Sequence, residues 1–245
     1  MSRFNSFPGL FFSFRSLAAC FFLAGVVALG EALPPNSGGP ASCMAEEPAP
    51  KKDWKPLLTG ELKEKWEPTT FGGEGKVEFK DEELLLEIGF PLTGTTFKGE
   101  FPKEGFEIEM EANRLEGSDF LCGLTFPVGD GFCTYVGGGW GGTLVGLSCI
   151  DSNDAANNNT TQYFNFENKK WYKFRVRVDK QHITCWIDDK EYIKQPRDGH
   201  QFQLRSEVNA NRPMGLAVYQ SRVAVRNFKY RLLSPEEIAV SSKEK

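Results

Sequence analysis

Three groups of residues have types and spacing that could do chemistry. Glu107, Glu109 and Glu111 alternate with Phe106, Ile108 and Met110. Successive side chains on a strand point to opposite faces, so this stretch puts three carboxylates on one face and three apolar groups on the other. Such a row could serve acid–base chemistry or accept hydrogen bonds from sugar hydroxyls. Its plain alternative is a solvated strand face. The second group is Tyr135 followed by Gly137, Gly138, Gly139, Trp140, Gly141 and Gly142. Glycine permits positive φ and close backbone approach, and a rigid indole ring contributes contact area at little entropy. Tyr135, Gly138, Gly139, Trp140 and Gly141 are therefore candidate ligand contacts, unless the tract is only a turn with a core Trp. The third group is Asp151, Asn153 and Asp154 with Asn157 nearby. Calcium takes about 6–8 such hard oxygens, so Asp151, Asn153 and Asp154 are candidate metal ligands and calcium the candidate cofactor. Asn and Asp are also simply favoured in loops. Asn158 and Asn159 each begin an N-x-T sequon.

Other chemistry is disfavoured. The only histidines are His182 and His200, in polar turn or loop settings, and no Cys-x-x-Cys spacing accompanies them, which argues against zinc. A net charge of −4 lacks the clustered basic face that nucleic acid requires and suits a soluble exported domain. Residues 1–45 read as a signal segment. Arg3 and Arg15 precede an uncharged apolar run from Ser16 to Gly30, and small residues follow. That run is shorter than the ~20 residues of a membrane span, so cleavage after Ala32 or Ala45 leaves no stable span. Export permits disulfides among Cys122, Cys133, Cys149 and Cys185 in any of three pairings, with buried free thiols as the alternative.

The elements that must position these residues are strands. Residues 46–53 are a Pro- and charge-rich linker, 54–233 a single domain and 234–245 a polar tail with a faintly helical Pro235–Val240. Val77–Phe79 and Leu84–Ile88 read as a hairpin, and Phe106–Ala112 as a half-buried strand. Phe120–Val128, Phe132–Val136 and Thr143–Ile150 follow between Gly-rich breaks. Trp171–Val178 and Ile183–Ile187 form a second hairpin, in which Trp171 and Phe174 are expected to pack between the sheets. Met214–Gln220 and Val223–Leu232 close the domain. Short strands with turn signals every 8–12 residues predict an all-β antiparallel sandwich or barrel. Without βα alternation, an α/β nucleotide-binding fold is excluded.

These segments resemble the 3-keto-disaccharide hydrolase family, whose members are concanavalin A-like, laminin-G-like jelly-roll sandwiches. The opening Trp54-Lys55-Pro56-Leu57-Leu58-Thr59-Gly60 with Leu62 and Trp66, the hairpin Val77 to Leu86, and Phe101 to Arg114 are each similar to family segments. So is the hairpin from Trp171 to Lys190. The most specific match is Gly215 to Gln220 followed by Val223 to Leu232. The family's middle strands carry an arginine and a Glu-x-Gln pattern. Ser118 to Leu124 and Phe132 to Trp140 have no counterpart to these.

The resemblance implies an exported protein, periplasmic, extracellular or envelope-associated, acting on a carbohydrate or 3-keto-glycoside. A glycosidic bond beside a keto group can break by proton abstraction next to the carbonyl and elimination, with Glu109, Glu111 or Asp130 as candidate catalytic bases. The Glu row is also similar to the E-x-D-x-E strand of family 16 glycoside hydrolases. A retaining pair of carboxyls needs about 5–5.5 Å between them, whereas residues i and i+4 of a strand lie roughly 13 Å apart along the backbone. The missing polar positions favour a non-catalytic carbohydrate-binding module, and a structural or adhesion domain of the cell envelope is the third reading.

Overall fold

The computed structural model describes residues 53–241, so residues 1–45, expected from the sequence to be a signal segment, and nearly all of the expected linker lie outside the described residues. Fifteen strands follow in chain order. The first five are β1 (Lys55–Pro56), β2 (Trp66–Pro68), β3 (Val77–Lys80), β4 (Glu83–Leu86) and β5 (Leu92–Phe97). The next five are β6 (Phe106–Gly117), β7 (Cys122–Val128), β8 (Gly131–Gly138), β9 (Leu144–Ser148) and β10 (Gln162–Tyr163). Then come β11 (Trp171–Val178), β12 (His182–Ile187), β13 (Lys190–Pro196), β14 (Met214–Tyr219) and β15 (Ser221–Leu232). A short 3₁₀ segment at Ser206–Asn211 and a helix at Pro235–Ser241 complete the domain.

All pairings are antiparallel and form two sheets, the two layers of a jelly-roll sandwich. The eight-stranded sheet has the order β13-β12-β11-β6-β15-β4-β3, with β1 also on β15. The seven-stranded sheet runs β10-β9-β8-β7-β14-β5-β2. Period-two alternation fills the space between them. Phe106, Ile108 and Met110 of β6 and Tyr172, Phe174 and Val176 of β11 meet Leu124 and Phe126 of β7, Tyr135 of β8, and Leu216 and Val218 of β14 in one apolar core. A bulge in β15 between Arg226 and Lys229, with Asn227 at φ 52°, shifts the strand's phase. Val223 and Val225 before it, and Phe228 and Tyr230 after it, therefore all face the core.

Alternation also corrects one expectation. Trp171 is odd-numbered on β11, opposite in phase to Tyr172 and Phe174, and faces outward with the Arg226 guanidinium 4.0 Å from its ring centroid. Phe174 is the core residue of the pair. Cys122, Cys133, Cys149 and Cys185 are all buried free thiols. Burial pushes the Cys122, Cys133 and Cys185 thiols well above their ordinary range, so they are not nucleophiles.

Candidate functional site

The outer face of the seven-stranded sheet is built from small side chains. Gly123 of β7, Thr134 and Val136 of β8, Ser148 of β9 and Ala217 of β14 all point away from the core, because Leu124, Tyr135, Leu147 and Leu216 point into it. Small residues leave the floor low. Loops then rise around it and enclose a trough of about 300 Å³. Phe120 enters from the β6–β7 connection, Trp140 from the turn after β8, Arg205, Glu207 and Val208 from the segment before β14, and Tyr219 from the end of β14. Phe120 and Tyr219 pack at 5.7 Å between centroids, and Trp140 is 47 % exposed at the rim. Aromatic walls over a floor of hydroxyl and aliphatic groups suit the apolar face of a sugar ring, with polar groups at the edges to meet its hydroxyls.

The floor itself carries no ionisable group. The Thr125 and Thr134 hydroxyls pair with each other at 3.0 Å. Charge sits at the rim. Asp119 accepts the Phe120 N–H at 2.7 Å on one carboxylate oxygen and the Gly141 N–H at 3.0 Å on the other. Arg205 bridges Asp154 at 3.0 Å and Glu207 at 2.8 Å. The hydrogen bond from Arg205, with a further one from its own backbone amide, holds the Glu207 carboxyl at about 2.

The model of the 3-keto-alpha-glucoside-1,2-lyase-like domain matches residues 53–231. The chain belongs to that family. Its members are glycan-active or carbohydrate-binding sandwich domains, and this chain is one of them. No curated protein matches the chain. Among solved structures, a protein of unknown function with a galectin-like fold from Bacillus subtilis is 11 % identical at TM-score 0.50, covering 74 % of this chain and 96 % of that one. The Crh5 transglycosylase in complex with NAG is 11 % identical at TM-score 0.50, covering 75 % and 84 %. The carbohydrate-binding module CBM66 from Bacillus subtilis is 12 % identical at TM-score 0.45, covering 68 % and 95 %. The two likenesses at TM-score 0.50 speak to the fold.

Of the ligand-contact candidates the trough is lined by Trp140 alone; Gly138, Gly139 and Gly141 form the turn that carries it but do not line the trough. Tyr135 is fully buried and stacks edge-on against Phe174 at 5.9 Å. It sits one position out of phase with the outward Thr134 and Val136, so it contacts the core rather than a ligand. Glu109 and Glu111 lie on the outer face of the other sheet. Glu109 pairs with Lys229 at 2.9 Å, and Glu111 with Arg226 and Asn227, each at 2.8 Å. Burial works to raise the Glu111 carboxyl, but these donors outweigh it and hold the group below its usual range. Neither acid reaches the trough. Asp130 occupies the exposed β7–β8 turn, in an ion pair with Lys103 at 2.7 Å that lowers its carboxyl. It borders a separate polar hollow with His182 and His200.

The calcium loop is closed by the protein's own donors. Asp151 accepts the Gln201 N–H at 2.8 Å and faces His200 Nδ1 at 2.7 Å. Asp154 accepts from Ala156, Asn157 and Arg205, and the Asn153 amide donates to the Asp151 carbonyl. A guanidinium stands where a cation would need oxygen. The donor set does not fit calcium, and among the described residues no cluster of three or more His, Cys, Asp or Glu could hold a metal ion. Residues 151–161 instead buttress the trough: Ala155 packs under Gly146, and the buried Thr160 hydroxyl accepts the Leu147 N–H at 2.9 Å.

Phe120, Asp119, Arg205, Glu207 and Tyr219 have no local sequence signal in common. They fall in three stretches, 119–120, 205–207 and 219, up to 100 positions apart in the chain, and only the fold gathers them. The clue available in sequence was the outward set itself, a strand series of Gly, Thr, Val and Ala where a solvated face would carry charge.

Proposed function

We propose that this chain is an exported carbohydrate-binding member of the family, and that the trough takes a neutral α-glucoside or its 3-keto derivative. The observation that supports the reading is a trough with aromatic walls and an uncharged floor. A sugar ring laid on it exchanges water for the faces of Trp140 and Phe120, while Asp119, Arg205 and Glu207 lie within the rim to meet hydroxyls. Among the described residues no helix is long and apolar enough to cross a membrane, and the N-terminal apolar run supports export.

A second reading is catalysis by elimination. In a 3-keto-glucoside the C3 carbonyl acidifies the C2 hydrogen. A base removes that proton, the C1–C2 double bond forms, the C1–O bond breaks and the aglycone oxygen takes up a proton. Asp119 and Glu207 are the carboxylates that line the trough. Both oxygens of Asp119 already accept N–H bonds, and Glu207 at about 2 is a weak base at neutral pH. A general base works best when its value lies near the operating pH, so these groups favour binding over catalysis.

Titration of the full chain with methyl α-glucoside, sucrose and their 3-keto derivatives tests both readings. Saturable binding without a rise in the ultraviolet absorbance of the conjugated enone product supports the binding module. Enone formation above background establishes the elimination instead. Absence of binding to all four removes the trough reading. Mass spectrometry of protein from the native host tests export: a mature start between Leu33 and Glu46 supports it, and an intact N-terminus in the cytoplasm contradicts it.

A further inference from the structure

We propose that Asp119 is the positioning residue of this trough, a carboxylate clip that ties its two aromatic walls, Phe120 and Trp140, into one preorganised geometry. The inference rests on the carbohydrate reading given above.

It begins with an anomaly of the backbone. Trp140 sits at φ 48° and ψ 54°, a left-handed conformation that bulky side chains rarely adopt and that strains the backbone. Core packing does not hold it there, since its ring is half exposed. Its neighbours do not stiffen it either. Gly138, Gly141 and Gly142 stand at φ 79°, 89° and 106°, and a turn of this composition has more backbone freedom than any other. The turn's own bond, from the Thr143 N–H to the Gly139 carbonyl, does not reach Phe120, so joining the two walls takes a second tie.

That tie is the carboxylate of Asp119. One oxygen accepts the N–H of Gly141, the residue directly after Trp140, at 3.0 Å, and the other accepts the N–H of Phe120 at 2.7 Å. Hydrogen bonds to an ionised acceptor are stronger than neutral ones, so a single side chain restrains both walls. Asp119 is itself anchored. Its carbonyl accepts from Arg114 Nη1 at 2.8 Å and from the Ser221 hydroxyl at 3.2 Å. Arg114 is almost fully buried and donates its remaining N–H groups to Asn168 and the Phe166 carbonyl. The Trp140 turn lies hard against this loop, because a Cβ on Gly142 would stand 2.5 Å from the Ser118 carbonyl oxygen. The chain thus runs from a buried guanidinium, through Asp119, to two rings that face the ligand. Fixing those rings before binding removes an ordering cost from the binding step.

The test uses full-chain Asp119→Asn and Trp140→Ala, with binding of methyl 3-keto-α-glucoside and amide hydrogen exchange as readouts. The Asn side chain keeps one acceptor and turns the other into a donor, so one of the two N–H groups loses its partner. Asp119→Asn is expected to weaken binding about tenfold or more and to accelerate exchange at Gly141 and Phe120, while the Val176 amide in the core stays slow. Acceleration everywhere, Val176 included, would mean a merely structural role and overturn the proposal. Unchanged binding in Asp119→Asn, with binding lost in Trp140→Ala, overturns the clip and leaves the trough standing. If neither variant alters binding, or the wild type binds nothing, the trough reading falls and exchange alone decides the clip. Exchange in the wild type also covers the case where the variant does not fold: an unprotected Gly141 amide there rules the clip out.

Discussion

The two outer faces of this sandwich are made by the same alternation and end as opposites. On the eight-stranded sheet, three acids of β6 each lie in register between two bases. Glu107 is opposite Arg177 and Arg231, Glu109 opposite Arg175 and Lys229, and Glu111 opposite Lys173 and Arg226. Arg175 also stacks on Trp186 at 4.2 Å and Arg226 on Trp171 at 4.0 Å. The helix at Pro235–Ser241 then closes one end, with Glu237 bonded to Arg231 and Arg177, and Glu107 beneath them is fully buried. Each of these three acids is paired with a base. On β7, β8, β9 and β14 of the seven-stranded sheet the outward positions of the trough floor are small and uncharged, and they leave space that the surrounding loops enclose. A row of carboxylates is thus no sign of a site when bases flank it in register, whereas a row of small residues on an outward face is a sign of space.

The largest effect that sharpens this contrast is on the closed face. Glu107→Ala takes from the buried Arg231 one of its two carboxylates, leaving Glu237, and half-releases Arg175 and Arg177; it is expected to cost about 3 kcal/mol, the low end for breaking a buried pair. Denaturant unfolding measures it. Ligand affinity per folded molecule should not change. A loss below about 1 kcal/mol would mean that the face is not closed in solution.

On the open face the balance reverses. Trp140→Gly removes the strained left-handed Trp, so the melting temperature should hold or rise, while binding falls by about tenfold or more. Loss of stability with binding unchanged would return Trp140 to a structural role.

How far the sequence carried this account depends on what each signal encodes. The sandwich was legible because alternation along Phe106–Met110 and Tyr172–Val178 is a local property. The helix at Pro235–Ser241 was faintly legible for the same reason. Strand β5 was not. Its six residues are all buried, since Phe97 faces the core while the Ser206–Asn211 segment covers the other side, with the Thr96 hydroxyl bonded to the Ala210 carbonyl and the Asn211 amide to that of Thr95. A strand covered on both faces shows no alternation. Glu107 read as solvated because the helix that covers it lies 130 positions away in the chain. Tyr135 and Trp171 were misplaced where residue type outweighed phase, although counting in twos from Thr134 and from Phe174 gives both orientations. Trp140 was legible from its glycines. Asp119 and Glu207 were not, because a clip and a rim are relations between loops.

Smaller effects follow. Acid should loosen the closed face first at its helix. Arg231 holds the Glu237 carboxyl at about 2 in the folded chain, below its value in the unfolded chain. Its contribution is therefore complete above the ordinary carboxylate range and is lost as pH falls through that range toward 2. The protection of the Ile238 amide, taken against its intrinsic exchange rate at each pH, should fall between pH 5 and about 3 while that of Val176 holds; an equal fall at both would mean global unfolding. Smallest of all, Glu111→Gln at a partly exposed pair should change stability by less than about 1 kcal/mol and leave binding untouched. A tenfold loss of binding in that variant would restore the β6 acids as functional groups.

The most direct test of the central claim is chemical-shift mapping of the labelled full chain during titration with methyl 3-keto-α-glucoside. The account predicts saturable shifts confined to Phe120, Gly123, Val136, Trp140, Gly141 and Tyr219, with the amides of Glu109, Glu111 and Arg226 unmoved. Shifts centred on β6 and β15, with the trough silent, would contradict it.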